Sequence, residues 1–303
     1  MNPTTATGPS TPPSQAQAPG APQPARAVDS TVLRQIGGVM RLELKKTFLS
    51  KRGWWIYFLA LGPVGVTVLH WLVEARLGRA GNRHSIGEDS IIFAGMFMFY
   101  YLRAGIFFGC MGIFSNLFRA EMLEKTLHYY FLTPLRRELL VAGKYLAGLV
   151  VAVALFGGSV ALAFLTIGRH FGPSWTDYLL HGPGLHQLGA YVLVTVLACV
   201  GYGAVFLTCG LLYKNPMIPA AVVWVWENLN PFLPSMLKKI SVIFYLKSLC
   251  PVEVPIPPPF NVMVVDADPT PFWVAVPGLL ALSLILLIYA AATARTTEIS
   301  YGE

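Results

Sequence analysis

Apolar residues in this chain come in long blocks separated by short polar stretches, without the helical or strand spacing of a soluble core. A block of about 18 or more such residues lets a helix cross the hydrocarbon of a bilayer. Six spans are predicted, at 54–73, 91–118, 145–168, 188–213, 217–236 and 272–294. Trp54, Trp55 and Tyr57 open the first, where amphipathic rings suit the interface. Gly157, Gly158 and Ser159 in the third offer small surfaces for a close helix contact. The fifth is irregular, because Pro219, Glu227, Pro231 and Pro234 interrupt it.

The intervening segments have characters of their own. Residues 1–30 are rich in Pro, Ala, Ser, Thr and Gln, bury little, and read as a disordered tail. Residues 31–53 mix apolar and basic side chains. At helical spacing Met40, Leu44 and Phe48 form one strip, flanked by Arg41, Lys45 and Arg52, which predicts an amphipathic helix in the headgroup plane. Before the last span, "KKISVIFYLKSL" is apolar but too short to cross, and predicts one or two shallow helices dipping into the outer leaflet. Pro255 to Pro259 then favour an extended surface segment. Residues 295–303 form a short tail. The fold class expected is an all-α integral membrane protein with six transmembrane helices, an N-terminal interfacial helix and a membrane-dipping region before the last helix.

Composition agrees: 55% of the residues are hydrophobic and only 12% charged, and mean hydropathy is +0.58. The net charge of +7 does not indicate nucleic acid, because the basic residues flank apolar blocks instead of forming a stripe. With the N-terminus inside, fourteen Lys and Arg fall on the cytoplasmic side against seven outside, the bias that orients helical membrane proteins. The N-terminal tail also lacks the charged start and apolar core of a secretory leader. Both ends are therefore expected in the cytoplasm, with the chain in a bacterial inner or plasma membrane.

Catalytic signatures are missing. There is no GxxxxGK[ST], HExxH or GxSxG motif. His70, His128, His170, His181 and His186 are scattered without metal-ligand spacing, so no metal site is expected. Cys110, Cys199 and Cys209 lie in apolar blocks and Cys250 stands alone, as small buried side chains do. The chain is expected to bind no cofactor and to catalyse nothing by itself. No internal duplication is visible, which weighs against an inverted-repeat carrier.

The most informative stretch joins the second and third spans: "RAEMLEKTLHYYFLTPLRRELLVAGKY", residues 119–145. Glu121 and Lys125 are placed to pair on a short helix, with Leu123, Leu127, Tyr130 and Phe131 on another side. Pro134 breaks the helix, and "LRRELLVAGKY" resumes it into the third span. The pattern describes a firm cytoplasmic projection. Such an element anchors a bundle or docks a partner.

This stretch resembles the cytoplasmic segment of ABC-2 type transporter permeases. The matching residues are Arg119, Glu121, Glu124, Thr126, Leu127, Thr133, Pro134, Gly143 and Lys144. The likeness extends over about residues 35–294, since the interfacial helix, the six spans and the region before the sixth match the family's layout. One departure is Lys125, where members often have Gly. The resemblance implies that 119–144 is a coupling element. Arg119, Glu121, Glu124, Lys125, Thr126 and Leu127 would dock in a groove of a separate ABC ATPase, which would hold ATP and Mg. It also implies a second permease subunit and an exported substrate.

Two charges fall inside spans: Arg103 in the second and Glu227 in the fifth. Ionisable groups at such depth are costly and face a partner or a cavity. Their opposite signs and similar depth predict a buried ion pair or a contribution to the translocation path. The expected function is the permease subunit of an ATP-driven exporter. A membrane scaffold that recruits a cytoplasmic protein, and an ATP-independent carrier, share the same hydropathy pattern.

Overall fold

The computed structural model describes residues 35–43, 53–77, 85–123, 137–213, 215–252, 254 and 270–296. Among these there is no strand. Helix α1 covers 35–43 and α2 covers Trp54–Leu77. A long rod follows: α3 (Ile86–Met96), a stretch of wide π-helical turns (Phe97–Gly105), and α4 (Ile106–Leu123). A second rod is built alike, from α5 (Arg137–Ala152), π-helical turns (Val153–Gly157) and α6 (Gly158–Ile167). Then come α7 (Pro173–Leu180), α8 (Gly184–Leu212), α9 (Met217–Leu229), two short helices α10 (Ser235–Lys238) and α11 (Val242–Lys247), and α12 (Phe272–Thr296).

Five of these helical stretches are long and apolar enough to cross a membrane: Trp54–Arg76, Ile86–Arg119, Glu138–Phe171, Gly184–Leu212 and Phe272–Ala294. The fifth predicted span, 217–236, is not among them. Its helix α9 has 13 residues, about 20 Å at about 1.5 Å per residue, against a hydrocarbon thickness of about 30 Å. Pro231 lies in the tight turn Asn230–Phe232 that follows, and Leu233 and Pro234 are extended. Proline removes a backbone donor and stops the helix there. Two short helices follow, α10 and then α11, which lies within the apolar stretch 238–249.

Helix α8 occupies the centre: 67% of its most apolar window is buried, against 22% for α2 and for α12. The outer helices expose Phe58, Val66, Leu69, Leu284 and Ile285 broadly, surface that suits lipid and not water. Within the bundle, Phe93, Phe97, Phe164 and Tyr191 meet edge-on or tilted around the upper part of α8. Phe107, Tyr202 and Phe206 form a second aromatic group below them.

Polar links tie the rods together. Tyr101 in the first π-helical stretch shares a hydrogen bond with Ser159 at 2.8 Å, and Ser159 donates to the Ala60 carbonyl of α2. Tyr100 donates to the Leu59 carbonyl at 3.0 Å. Of the small residues expected to allow close contact in the third span, Ser159 acts through its hydroxyl, whereas a side chain on Gly158 would meet open space. A close approach between helix backbones lies elsewhere: a Cβ on Gly210 of α8 would lie 2.7 Å from the Ser115 carbonyl oxygen of α4. Cys250, beyond α11, donates to the Leu246 carbonyl at 3.5 Å. Burial pushes its thiol up to about 12, only partly offset by Lys247, as suits a structural cysteine.

Gly210→Leu should force α4 and α8 apart and cost about 1–3 kcal/mol or more, as overpacking does. The measurement is unfolding in detergent followed by circular dichroism. Gly158→Leu, facing open space, should leave the transition where it is.

Candidate functional site

The resemblance draws attention to the junction between the first and second rods. Arg119 is half-buried near the end of α4. The helix continues to Leu123, and the structure describes nothing of residues 124–136 or of the side chain of Glu121. Glu124, Lys125, Thr126 and Leu127 therefore lie outside the described residues, as do the tails 1–30 and 297–303. What the structure does describe is the frame on either side.

That frame is held by a buried ion pair. Lys144, in α5 and just before the predicted third span, has no exposed surface, and Glu43 of α1 is 2% exposed. Lys144 Nζ donates to Glu43 Oε1 at 2.5 Å and to the Leu117 carbonyl of α4 at 2.8 Å. Its ammonium also lies 5.3 Å from the centre of the Phe118 ring. One side chain of α5 thus joins α1, α4 and α5. The neighbouring Gly143 is what allows α1 to come this near, since a Cβ there would be 3.0 Å from the Cβ of Val39. Gly143 and Lys144, the last residues of the matched motif, act as a unit: one admits α1 and the other binds it.

The face that α1 turns inward differs from the one its pattern suggested. Val39 and Glu43, four apart, are buried; Met40 is half-buried and Arg41 and Leu42 are exposed. A glutamate in an apolar strip reads as a helix's outer face until its cation is seen. The continuation of that helix through 44–52, with Leu44, Lys45 and Phe48, lies outside the described residues.

A second polar centre sits at the middle of α8. The Glu227 carboxylate accepts from Ser241 Oγ at 2.8 Å, Tyr202 Oη at 3.3 Å, and the backbone amides of Val242 and Ile243 at 3.0 and 2.9 Å. Four donors around one carboxyl group complement a carboxylate. Glu227 thereby caps α11 and ties it to α9 and α8. Asn230 adds a second tie, donating to the Lys238 carbonyl at 3.2 Å. Backbone groups released where the prolines break the helix are met by side chains, as an apolar surround requires.

Arg103 comes close to this centre from the first π-helical stretch, but not as the direct partner of Glu227. Its Nη1 donates to Asn228 Oδ1 at 3.3 Å, and its guanidinium lies 5.8 Å from the Phe99 ring centre. The carboxylate is satisfied by neutral donors of α8 and α11, and the arginine engages the adjacent residue instead. Sequence depth brought the two charges to one neighbourhood; Tyr202 and Ser241, with no charge to mark them, could not be read as partners.

Breaking the junction on one side should cost about 3–5 kcal/mol, because the remaining buried charge loses its counter-ion. Lys144→Met or Glu43→Leu alone should therefore lower the unfolding midpoint in detergent sharply. The double variant Glu43→Leu/Lys144→Met should recover most of that loss. A loss in the double variant equal to the sum of the two single losses would show that the pair is not coupled. Among known proteins, no family model matches the chain, and no curated protein matches it.

Proposed function

We propose that this chain is the permease subunit of an ATP-driven exporter of the ABC-2 type. The observation that supports the reading best is the Lys144 junction. The segment that resembles a coupling element, within 119–144, leaves from the end of α4 and returns at the start of α5. Lys144 of α5 bonds α4 and α1 at one buried point near both ends. A push on that segment would be delivered into both rods together through rigid helix.

In this reading the segment lies in the cytoplasm and seats in a groove of an ABC ATPase through Glu121, Glu124 and their neighbours, with ATP and Mg on that subunit. Two permease subunits form the pathway. Helix α9, lengthened by its terminal turn, makes a short sixth crossing, and α10 and α11 dip into the outer leaflet. Both termini then face the cytoplasm. The centre at Glu227 and Arg103 lies beside the route and shapes it by holding α9 against α11. The chain itself hydrolyses nothing.

The full chain, purified in mild detergent, should bring with it a P-loop ATPase. Glu121→Lys/Glu124→Lys should release that subunit without changing the helix content of the permease. Substrate carried down a proton gradient by the purified chain, with no ATPase present, would overturn the reading in favour of a secondary carrier.

A further inference from the structure

At the end of the bundle away from Lys144, two histidines and an aspartate converge from three separate elements. His70 lies in the last two turns of α2, Asp89 in the first turn of α3, and His170 in the turn Arg169–Phe171 after α6. Along each rod they stand roughly 40 Å from the lysine junction, at about 1.5 Å per residue. The histidines show no metal-ligand spacing along the sequence, but the fold brings two of them onto one carboxylate.

The distances from the carboxylate oxygen to the two imidazoles are near those a small cation sets. One ligand atom from each residue lies within 4.8 Å of the other two. His70 Nε2 is 3.5 Å from Asp89 Oδ2, and His170 Nε2 is 3.7 Å from the same oxygen. Zinc bonds of about 2.0–2.2 Å at tetrahedral angles put ligand atoms about 3.3–3.6 Å apart. The imidazole rings stand at 84° with centroids 5.6 Å apart, so they meet edge-on and do not stack.

The chemistry of His170 points the same way. Its Nδ1 is 3.2 Å from the Ile167 carbonyl oxygen. A carbonyl only accepts, so Nδ1 carries the proton, and in the neutral ring Nε2 holds a lone pair. That lone pair faces a fully buried carboxylate. A proton on Nε2 or a metal ion between the two atoms would each reconcile them. A backbone carbonyl behind a ligating histidine is also the usual support of a metal site, fixing tautomer and ring orientation. The Phe171 ring, 4.0 Å away between centroids, holds the imidazole from the side.

Asp89 has no exposed side-chain surface and His170 only 9%, whereas His70 keeps 23% and is the most accessible of the three. Two imidazole nitrogens and one carboxylate oxygen suit zinc and its neighbours, while calcium and magnesium favour oxygen throughout.

We propose that His70, Asp89 and His170 form a binding site for a divalent transition metal of the zinc class, with a fourth position for water or an exchangeable ligand. The ion joins α2, α3 and the turn after α6, and so staples three membrane helices at one end. This site is independent of whether an ATPase docks at the other end.

The test uses the full chain in detergent, purified without a polyhistidine tag, stripped with a chelator, and dialysed against Zn2+. Plasma mass spectrometry should find about one Zn2+ per chain. His70→Gln/His170→Gln should bind Zn2+ at least about tenfold more weakly. Co2+ in place of Zn2+ should give the intense visible bands of a four-coordinate site, and Zn2+ should raise the unfolding temperature of the wild type alone. Equal metal content in the wild type and the double variant would overturn the proposal, leaving a proton-bridged His–Asp–His cluster. If the variant does not fold, the wild type decides by itself: a spectrum like that of hydrated Co2+, with no thermal shift on Zn2+, ends it.

Discussion

A polar group surrounded by hydrocarbon has no solvent to turn to, so another part of the same chain must answer it. That constraint organises this bundle. Lys144 is answered by Glu43 and the Leu117 carbonyl. Glu227 is answered by two hydroxyls and the free amides at the start of α11. His70 and His170 gather on Asp89. Each answer crosses between helices, and each therefore fixes how those helices sit against one another. Apolar packing fills the space between, but it tolerates sliding and rotation far better than a bonded buried charge does.

The three centres lie at different depths on a shared frame. The rods 86–123 and 137–167 run past all three levels, with the lysine junction at one end and the Asp89 cluster at the other. Both rods carry π-helical turns near mid-length. Such turns mark places where a helix accommodates a functional demand. Here the first presents Tyr101 to Ser159 and Arg103 to Asn228. A displacement entering at the junction would travel along stiff helix and meet its first adjustable turns beside the Glu227 centre. This gives the exporter reading a mechanical form without assigning a substrate.

Individual residues show how far the sequence could be read. Lys144 stood out through its motif, yet its partner Glu43 sits 101 positions away in a helix whose visible strip was Met40, Leu44 and Phe48. Glu227 stood out because a charge in an apolar block is costly, but its donors are a tyrosine, a serine and two amides that carry no charge pattern. The prolines marked 217–236 as irregular, but the span was expected to run through them; α9 stops at Leu229 because Pro231 and Pro234 act locally. Helix α7 was missed, because it is short and lies between spans. His70 and His170 looked unrelated for a simple reason: ligand spacing shows in a sequence only when one element supplies the ligands.

The sequence by itself determined the solvent, the number of long apolar helices to within one, the irregularity of 217–236, and which segments would hold charges inside the apolar part. These depend on run length, proline and composition, all of which are properties of contiguous residues. The tertiary structure decided the partners: Glu43 for Lys144, Tyr202 and Ser241 for Glu227, Asn228 for Arg103, and Asp89 for two histidines. Partnership depends on how each helix is rotated about its axis and on which helix lies beside it. Hydropathy is nearly uniform around a helix buried in lipid and protein alike, so it carries little information about either.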